Sequence, residues 1–260
     1  QYNSIGGDWE DPTDWMFTGS GTNAAPFYPV AGDWIILDAN MNLAVNEAFG
    51  NALNGSTWTG GSLDTNGQTL THGALSTWTF SGGSKAINDV GAVLNLGTFT
   101  HATNQRLLIN QGATFQNEGT FEFTVNGGQV RSDNGADGLF LNTNGGLLVS
   151  TANNAQFNRN AADRMFLQND PGATIRATGG GSLILNGTLD ERGGTVEAEA
   201  NSTIRVQGAN NRAVAGTLWS TTGTGKIELG GTWGGTGTDL LGTIDGAGSG
   251  NVVIGETVLA

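Results

Sequence analysis

An aromatic phrase recurs along this chain at nearly constant spacing, and that period limits the fold more than any other feature. Ser56-Thr57-Trp58-Thr59 returns as Ser76-Thr77-Trp78-Thr79, then as Gly97-Thr98-Phe99-Thr100 and Gly119-Thr120-Phe121-Glu122, in steps of 20, 21 and 22 residues. Its Gly-Thr-apolar part continues at Gly187-Thr188-Leu189, Gly194-Thr195-Val196, Gly216-Thr217-Leu218, Gly231-Thr232-Trp233 and Gly242-Thr243-Ile244. A second phrase, Arg106-Leu107-Leu108-Ile109-Asn110, recurs as Gly138-Leu139-Phe140-Leu141-Asn142 and Arg164-Met165-Phe166-Leu167-Gln168. Runs such as Thr120–Val125, Thr195–Ala198 and Thr203–Val206 alternate with period two, the mark of half-buried strands. Asn-Gly pairs at 54–55, 66–67, 126–127, 144–145 and 186–187 supply residues that tolerate positive φ at turns.

A period near 20 with short strands and Gly/Asn corners predicts a β-solenoid, in which each coil stacks on the next at about 4.8 Å. The expected architecture is all-β, a single-stranded β-helix of about 20–22 residues per coil. Trp58, Trp78, Phe99 and Phe121 form the expected internal ladder. Asn and Thr at repeating corners are expected to hydrogen-bond along the axis. Roughly eleven coils of about 21 residues give a rod of about 50 Å. The rival architecture, two β-sandwiches of about 110 residues each, does not require a constant step. No linker or break in composition divides the chain.

Composition agrees. Gly contributes 44 residues and charged residues only 13%, and stacking equivalent positions disfavours like charges. The net charge of −13, with Lys85 and Lys226 the sole lysines, excludes a phosphate-gripping nucleic-acid binder. No apolar run reaches the length of a membrane-spanning helix, and the absence of Cys excludes disulfides and thiolate metal sites. Residues 1–31 are distinct. They carry Pro12, Pro26 and Pro29 with Trp9, Trp15, Phe27 and Tyr28, and are expected to form an irregular aromatic-rich cap or assembly segment. The solenoid body is expected over 32–260. A start on Gln1, with no signal sequence in view, agrees with a secreted protein whose leader has been removed.

The paired Trp9 and Trp15, then Pro29 and Gly32-Asp33 before Trp34-Ile35-Ile36-Leu37, followed by Gly-Thr-apolar and Asn-Gly coils, resemble secreted bacterial β-helix surface proteins. These are the proteins of autotransporter-associated repeats and large adhesins. The resemblance spans most of the chain and implies a solenoid fold and a place at the cell surface. The chain departs from that family in ending on Val252 to Ala260, with no membrane barrel or sorting tail.

Chemistry-bearing groups are few. Asp8, Glu10, Asp11 and Asp14 offer carboxylates for Ca²⁺, though without EF-hand spacing; a solvated acidic turn is the plainer reading, and no other cofactor is expected. His72 and His101, the only histidines, read as exposed strand residues. The carboxylate pairs Asp133/Asp137, Asp190/Glu191 and Glu197/Glu199 are the raw material of a polysaccharide lyase or hydrolase, or else a salt-bridged exterior. Arg159, Arg164, Arg176, Arg192, Arg205 and Arg212 form either a basic stripe for a neighbouring molecule or internal pairs with Asp163, Asp170, Asp190 and Glu191.

A solenoid has two open ends that polymerise unless capped. The C-terminal run lacks the Lys and Pro that blunt an edge. The leading expectation is therefore a non-enzymatic extracellular structural protein, a homopolymer assembled head to tail into a filament, sheath or matrix. Its contact would use Trp9, Trp15, Phe27 and Tyr28 against Val252, Val253, Ile254, Val258 and Leu259. The alternative is an adhesin module contacting polysaccharide or a cell surface, with carbohydrate held by exposed Trp219 and Trp233; the second alternative is the lyase or hydrolase.

Overall fold

The computed structural model describes residues 1–17, 27–133, 136–159, 164–233, 243–254 and 258–259. Pro26, Asp163, Gly242 and Ala260 lie outside them. Strands of two to six residues wind into a β-solenoid of about nine turns. Each turn contributes one strand to each of three faces. The faces are a 12-stranded, an 11-stranded and an 8-stranded sheet, and a further two-stranded pair joins Thr232–Trp233 to Val258–Leu259. An isolated bridge from Asn211 to Trp233 prolongs the third face toward that pair. One coil runs Thr98–His101, Arg106–Ile109 and Thr114–Asn117. The next runs Thr120–Phe123, Gln129–Ser132 and Gly138–Asn142, in parallel register on the first.

Alternation decides what goes inside. In Thr120–Phe123 the burial alternates along the strand, with Phe121 and Phe123 buried and Thr120 and Glu122 facing out. Inward residues stack as columns, and aromatic rings dominate the N-terminal half. Phe99 and Phe121 stack at 5.0 Å and Phe115 and Phe140 at 5.2 Å, while Phe115 meets Phe121 edge-on at 5.3 Å. Each such ring pair adds about 0.5–1.5 kcal/mol beyond its burial.

The register corrects the expected ladder. Trp78, Phe99 and Phe121 do share a column, but Trp78 pairs with Ser56, and Trp58 pairs with Phe80. Trp58 thus belongs to the adjacent column, between Leu37 and the run of Phe80, His101 and Phe123. Its ring reaches across to stack on Trp78 at 5.3 Å. The 20-residue sequence match is therefore two residues out of the structural step of 22, one alternation along the strand. The step also varies. Phe121 pairs with Leu148 and Leu148 with Ile175, each 27 residues on, before Ile175 returns to Val196 after 21. Longer corners absorb the difference, so the turns are fewer than a constant step implies.

The second phrase does not mark equivalent positions either. Arg106–Ile109 lies on the second face, whereas Gly138–Asn142 and Met165–Asn169 lie on the third.

The N-terminal segment closes one end of the rod while joining the sheets. Tyr2–Ser4 pairs in parallel with the strand Ile35–Leu37, and Gly7–Asp8 with Met41–Asn42. The chain then leaves the coil, and Trp15–Phe17 returns antiparallel to Tyr2–Ser4 on the outermost edge. Trp9 and Trp15 are fully buried, edge to face at 4.9 Å. Trp15 Nε1 donates to the Trp9 carbonyl at 2.8 Å and Trp9 Nε1 to that of Pro29 at 3.3 Å. At the other end, Thr243–Gly248 and Asn251–Ile254 are the last strands of the first two sheets.

Candidate functional site

The corner between the third and first faces holds a buried line of polar side chains. Each is the last residue of a third-face strand: His72, Asn95, Asn117, Asn142, Asn169 and Glu191. All six are fully buried. Asn95 Nδ2 donates to Asn117 Oδ1, Asn117 Nδ2 to Asn142 Oδ1, and Asn142 Nδ2 to Asn169 Oδ1, each at 2.8 Å. Asn169 Nδ2 donates to both oxygens of Glu191, at 2.9 and 3.1 Å. The second amide hydrogens go to first-face carbonyls, Thr120 from Asn95, Leu147 from Asn117 and Thr174 from Asn142. Interior amides so placed have partners for their polar atoms, as burial demands.

At Asn95 and Asn117 the sequence carries this corner as Asn-x-Gly. Gly97 and Gly119 follow Asn95 and Asn117 by two residues. A Cβ on Gly119 would lie 2.1 Å from the Gly97 carbonyl oxygen, so the coils nest only if that position is glycine. The Gly-Thr-apolar phrase marks this corner at Gly97, Gly119, Gly194 and Gly216, whereas Gly187 leads from the second face into the third. Left-handed pairs serve other turns: Asn66-Gly67, between the second and third faces, takes φ of 49° and 81°, and Asn144-Gly145, in the longer third-to-first corner after Asn142, takes 51° and 84°.

The ladder has a direction. Every amide points its NH₂ toward the C-terminal end, leaving an oxygen facing His72 and hydrogens facing Glu191. His72 Nδ1 lies 2.6 Å from Asn95 Oδ1 and therefore carries the hydrogen. Its Nε2 then accepts from Ser76 Oγ at 2.7 Å, a hydroxyl that also contacts the Gly73 carbonyl. Burial drives the His72 pKa down to about 4, against hydrogen bonds that favour the cation. Burial pushes Glu191 up to about 8, opposed by the Asn169 amide. His101 is also buried and lowered to about 4; its Nε2 donates to the Gln129 carbonyl at 3.2 Å and its Nδ1 has no partner. The expectation of exposed histidines is thus overturned. Each closes an alternation on the inward side of its strand, among Phe49 and Trp78 for His72 and Phe80 and Phe123 for His101.

Ser76, His72 and Asn95 repeat the nucleophile–base–orienter order of acyl-transfer enzymes. Ser76 is 2% exposed, and a Cβ on the neighbouring Gly97 would strike the Ser76 and Gly73 carbonyls. The trio is packed shut and acts as the ladder's N-terminal stop.

The acidic N-terminal residues are not gathered around one point. Asp14 Oδ2 accepts the Asp8 amide at 2.8 Å. Asp11 Oδ1 caps the 3-10 turn Pro12–Asp14 through Thr13 N–H and Oγ, which lowers its pKa. Glu10 Oε1 takes the amides of Ala44 and Val45, and Asp8 Oδ1 takes Asn42 Nδ2. Among the described residues, no group of three or more His, Cys, Asp or Glu is placed to hold a metal. Each carboxylate faces a different local donor.

Apart from exposed Asp137, the carboxylates of these pairs are engaged in ion pairs or buried. Glu197 and Glu199 meet Arg176 at 2.8 and 3.5 Å. Asp190 meets Arg192 at 2.7 Å and Arg212 at 4.0 Å, while its neighbour Glu191 points inward. Asp133 pairs with Arg106 and Arg131, and Asp137 accepts the Arg164 amide. Arg205 pairs with Glu228 one coil on, at 2.6 Å. Opposite charges thus alternate up the outer columns, and internal pairing accounts for Arg176, Arg192, Arg205 and Arg212.

Trp219 and Trp233 are 2% and 1% exposed. They pack against each other at 6.1 Å inside the last coils. As exposed carbohydrate platforms they are excluded, because both fall on the inward phase of their strands. Of the proposed contact residues, Trp9 and Trp15 are internal, Tyr28 is half-buried on the core and Phe27 is 70% exposed. Val253 and Ile254 are 40% and 54% exposed, and Val252 is partly buried. Val258 and Leu259 pair with Thr232 and Trp233. A cavity of about 230 Å³ is lined by Val206, Gln207, Glu228, Leu229, Gly230 and Val253.

No protein-family model matches the chain, and no curated protein matches it significantly. Among solved structures, a crystal structure of a TibC-catalysed hyper-glycosylated TibA fragment is similar at 14% identity. The alignment covers 89% of this chain and 91% of that one, with a TM-score of 0.18.

Proposed function

We propose that this chain is a non-catalytic structural solenoid of an extracellular surface that associates end to end with copies of itself. The observation that carries the reading is the contrast between the two ends. Ile244 pairs with Trp219 and Ile254 with Leu229, so both occupy inward columns that are buried in the preceding coil. At the last described coil they are 56% and 54% exposed, beside the last strands of two sheets and the cavity that Val253 lines. The opposite end is covered by an antiparallel strand and the Trp9–Trp15 pair, and presents Ile5, Phe27 and Val30, each at least half exposed. The revised contact places these three against Ile244, Val253 and Ile254, with Trp9 and Trp15 withdrawn from it. Such a head-to-tail contact repeats without closing. The acidic, Lys-poor, Cys-free composition supports the extracellular setting. The adhesin alternative has lost its aromatic platform with the burial of Trp219 and Trp233.

Sedimentation velocity and negative-stain microscopy over a hundredfold dilution series test this, with wild type and Ile244→Asp/Ile254→Asp. The expected result is concentration-dependent end-to-end rods that the double variant leaves as single rods. Single wild-type rods at every concentration overturn the assembly and favour a monomeric surface module.

A further inference from the structure

The ladder's direction has a consequence for its two ends. Four consecutive amides aligned one way need a donor at the N-terminal end and an acceptor at the C-terminal end. His72 and Glu191 meet that need and are the only titratable members. We propose that the ladder is a directional spine whose end groups respond to protons, so that the coil stack loosens at the His72 end in acid and at the Glu191 end in alkali.

At the first end, protonation puts a hydrogen on Nε2, which faces Ser76 Oγ. The hydroxyl must then accept and turn its own hydrogen wholly to the Gly73 carbonyl, which it already contacts. The other groups on the imidazole are Phe49, Trp78, Asn95 and the Thr77 backbone, none charged. Glu47, on the preceding strand, pairs with buried Leu70 and so shares its inward phase, where burial raises its pKa, but it lies one alternation away from Phe49 and no carboxylate acts on the His72 ring. The cation is therefore left without a counter-charge in the interior.

At the second end, deprotonation places an anion against the Asn169 amide and the Gly194 N–H, which favour it, and near Asp190 and Asp170, which oppose it. Arg192 and Arg212 are drawn to Asp190 on the outer face. The following coil offers Ala213 at the ladder position, so no further amide shares the charge. Burial sets the direction of both shifts, and the alignment of the amides decides which end carries which group.

The test is hydrogen exchange by mass spectrometry across pH 5 to 9, corrected for intrinsic rates, in a His101→Phe background. That change removes the other buried imidazole and continues the Phe80–Phe123 column. Protection over Thr69–Asn95 should fall at least tenfold from pH 7 to 5, and protection over Thr188–Ala213 at least tenfold from pH 6 to 9. His72→Asn, which extends the amide run, should abolish only the acid arm. Glu191→Gln should abolish only the alkaline arm. Loss spread evenly along the chain, or arms unchanged by the variants, overturns the proposal. Should a variant not fold, ¹⁵N-histidine NMR of the unaltered protein decides. His72 in the neutral Nδ1–H form at pH 5.5 supports the proposal, and a protonated ring there refutes it.

Discussion

Removing one amide from the middle of the ladder tests its contribution directly. Asn117→Leu keeps side-chain volume close but leaves Asn142 Oδ1 without its donor, and Asn95 Nδ2 keeps only the Thr120 carbonyl. A stranded buried polar group costs about 1–3 kcal/mol, so the two losses come to about 2–6 kcal/mol. The added apolar burial returns about 1–2 kcal/mol. The net expectation is a loss of about 2 kcal/mol, read by urea denaturation followed by circular dichroism and tryptophan fluorescence. Gln116→Leu, one residue away and facing outward against Glu118, is the control and should stay within about 0.5 kcal/mol. Asn117→Asp isolates direction. It keeps the accepting oxygen but turns a second oxygen toward Asn142 Oδ1 and the Leu147 carbonyl, so it should cost more at pH 7 than at pH 4. Equal stability of Asn117→Leu and Gln116→Leu, or a pH-independent Asn117→Asp, refutes the directional-ladder argument.

Other outcomes follow from the same packing. Phe121→Ala, which empties a site touching Phe99, Phe115 and Phe140, should cost about 3–5 kcal/mol in the same denaturation assay. Trp233→Ala should destabilise the C-terminal coils by a similar amount, read as earlier exchange of amides after Leu218, whereas an unchanged melt would return that side chain to the surface. Arg176→Ala removes a partly exposed pair with Glu197 and should cost less than about 1 kcal/mol, and less still in high salt. His72 and His101, lowered to about 4, contribute stability that is full above their ordinary 6.5 and lost as the pH falls toward 4. Glu191, raised to about 8, contributes stability that is full below its ordinary 4.5 and lost as the pH rises toward 8. The thermal midpoint should therefore peak near pH 6.5, as the unfolding free energy falls on each side by about 1.4 kcal/mol per pH unit for the one net proton.

Much of this protein is written locally. Period-two alternation states which side chains of Thr120–Phe123 point inward without reference to any neighbour. The Asn-x-Gly-Thr corner is legible because only glycine permits the close coil-to-coil approach at Gly97 and Gly119. The scarcity of charge is legible too, since stacked columns accept charges mainly in alternating sign, as Arg176 over Glu197 shows.

Register and face could not be read locally. All three faces use the same small-apolar-polar-apolar strand, so Arg106–Ile109 and Met165–Asn169 resemble each other while lying on different faces. For the same reason the two Ser-Thr-Trp-Thr phrases align at 20 residues while the backbone pairs at 22, and Trp58 stands one column away from Trp78. Trp219 and Trp233 looked available because Gly and Thr surround them; only the closed coil turns them inward. Sequence by itself determined that the chain stacks as a solenoid, because a repeated alternating strand with glycine corners can bury its apolar side only against another coil. The tertiary structure alone decided which coil residue meets which, since register is set by corner length and by the hydrogen-bonded column of His72, four asparagines and Glu191, whose members lie 22 to 27 residues apart.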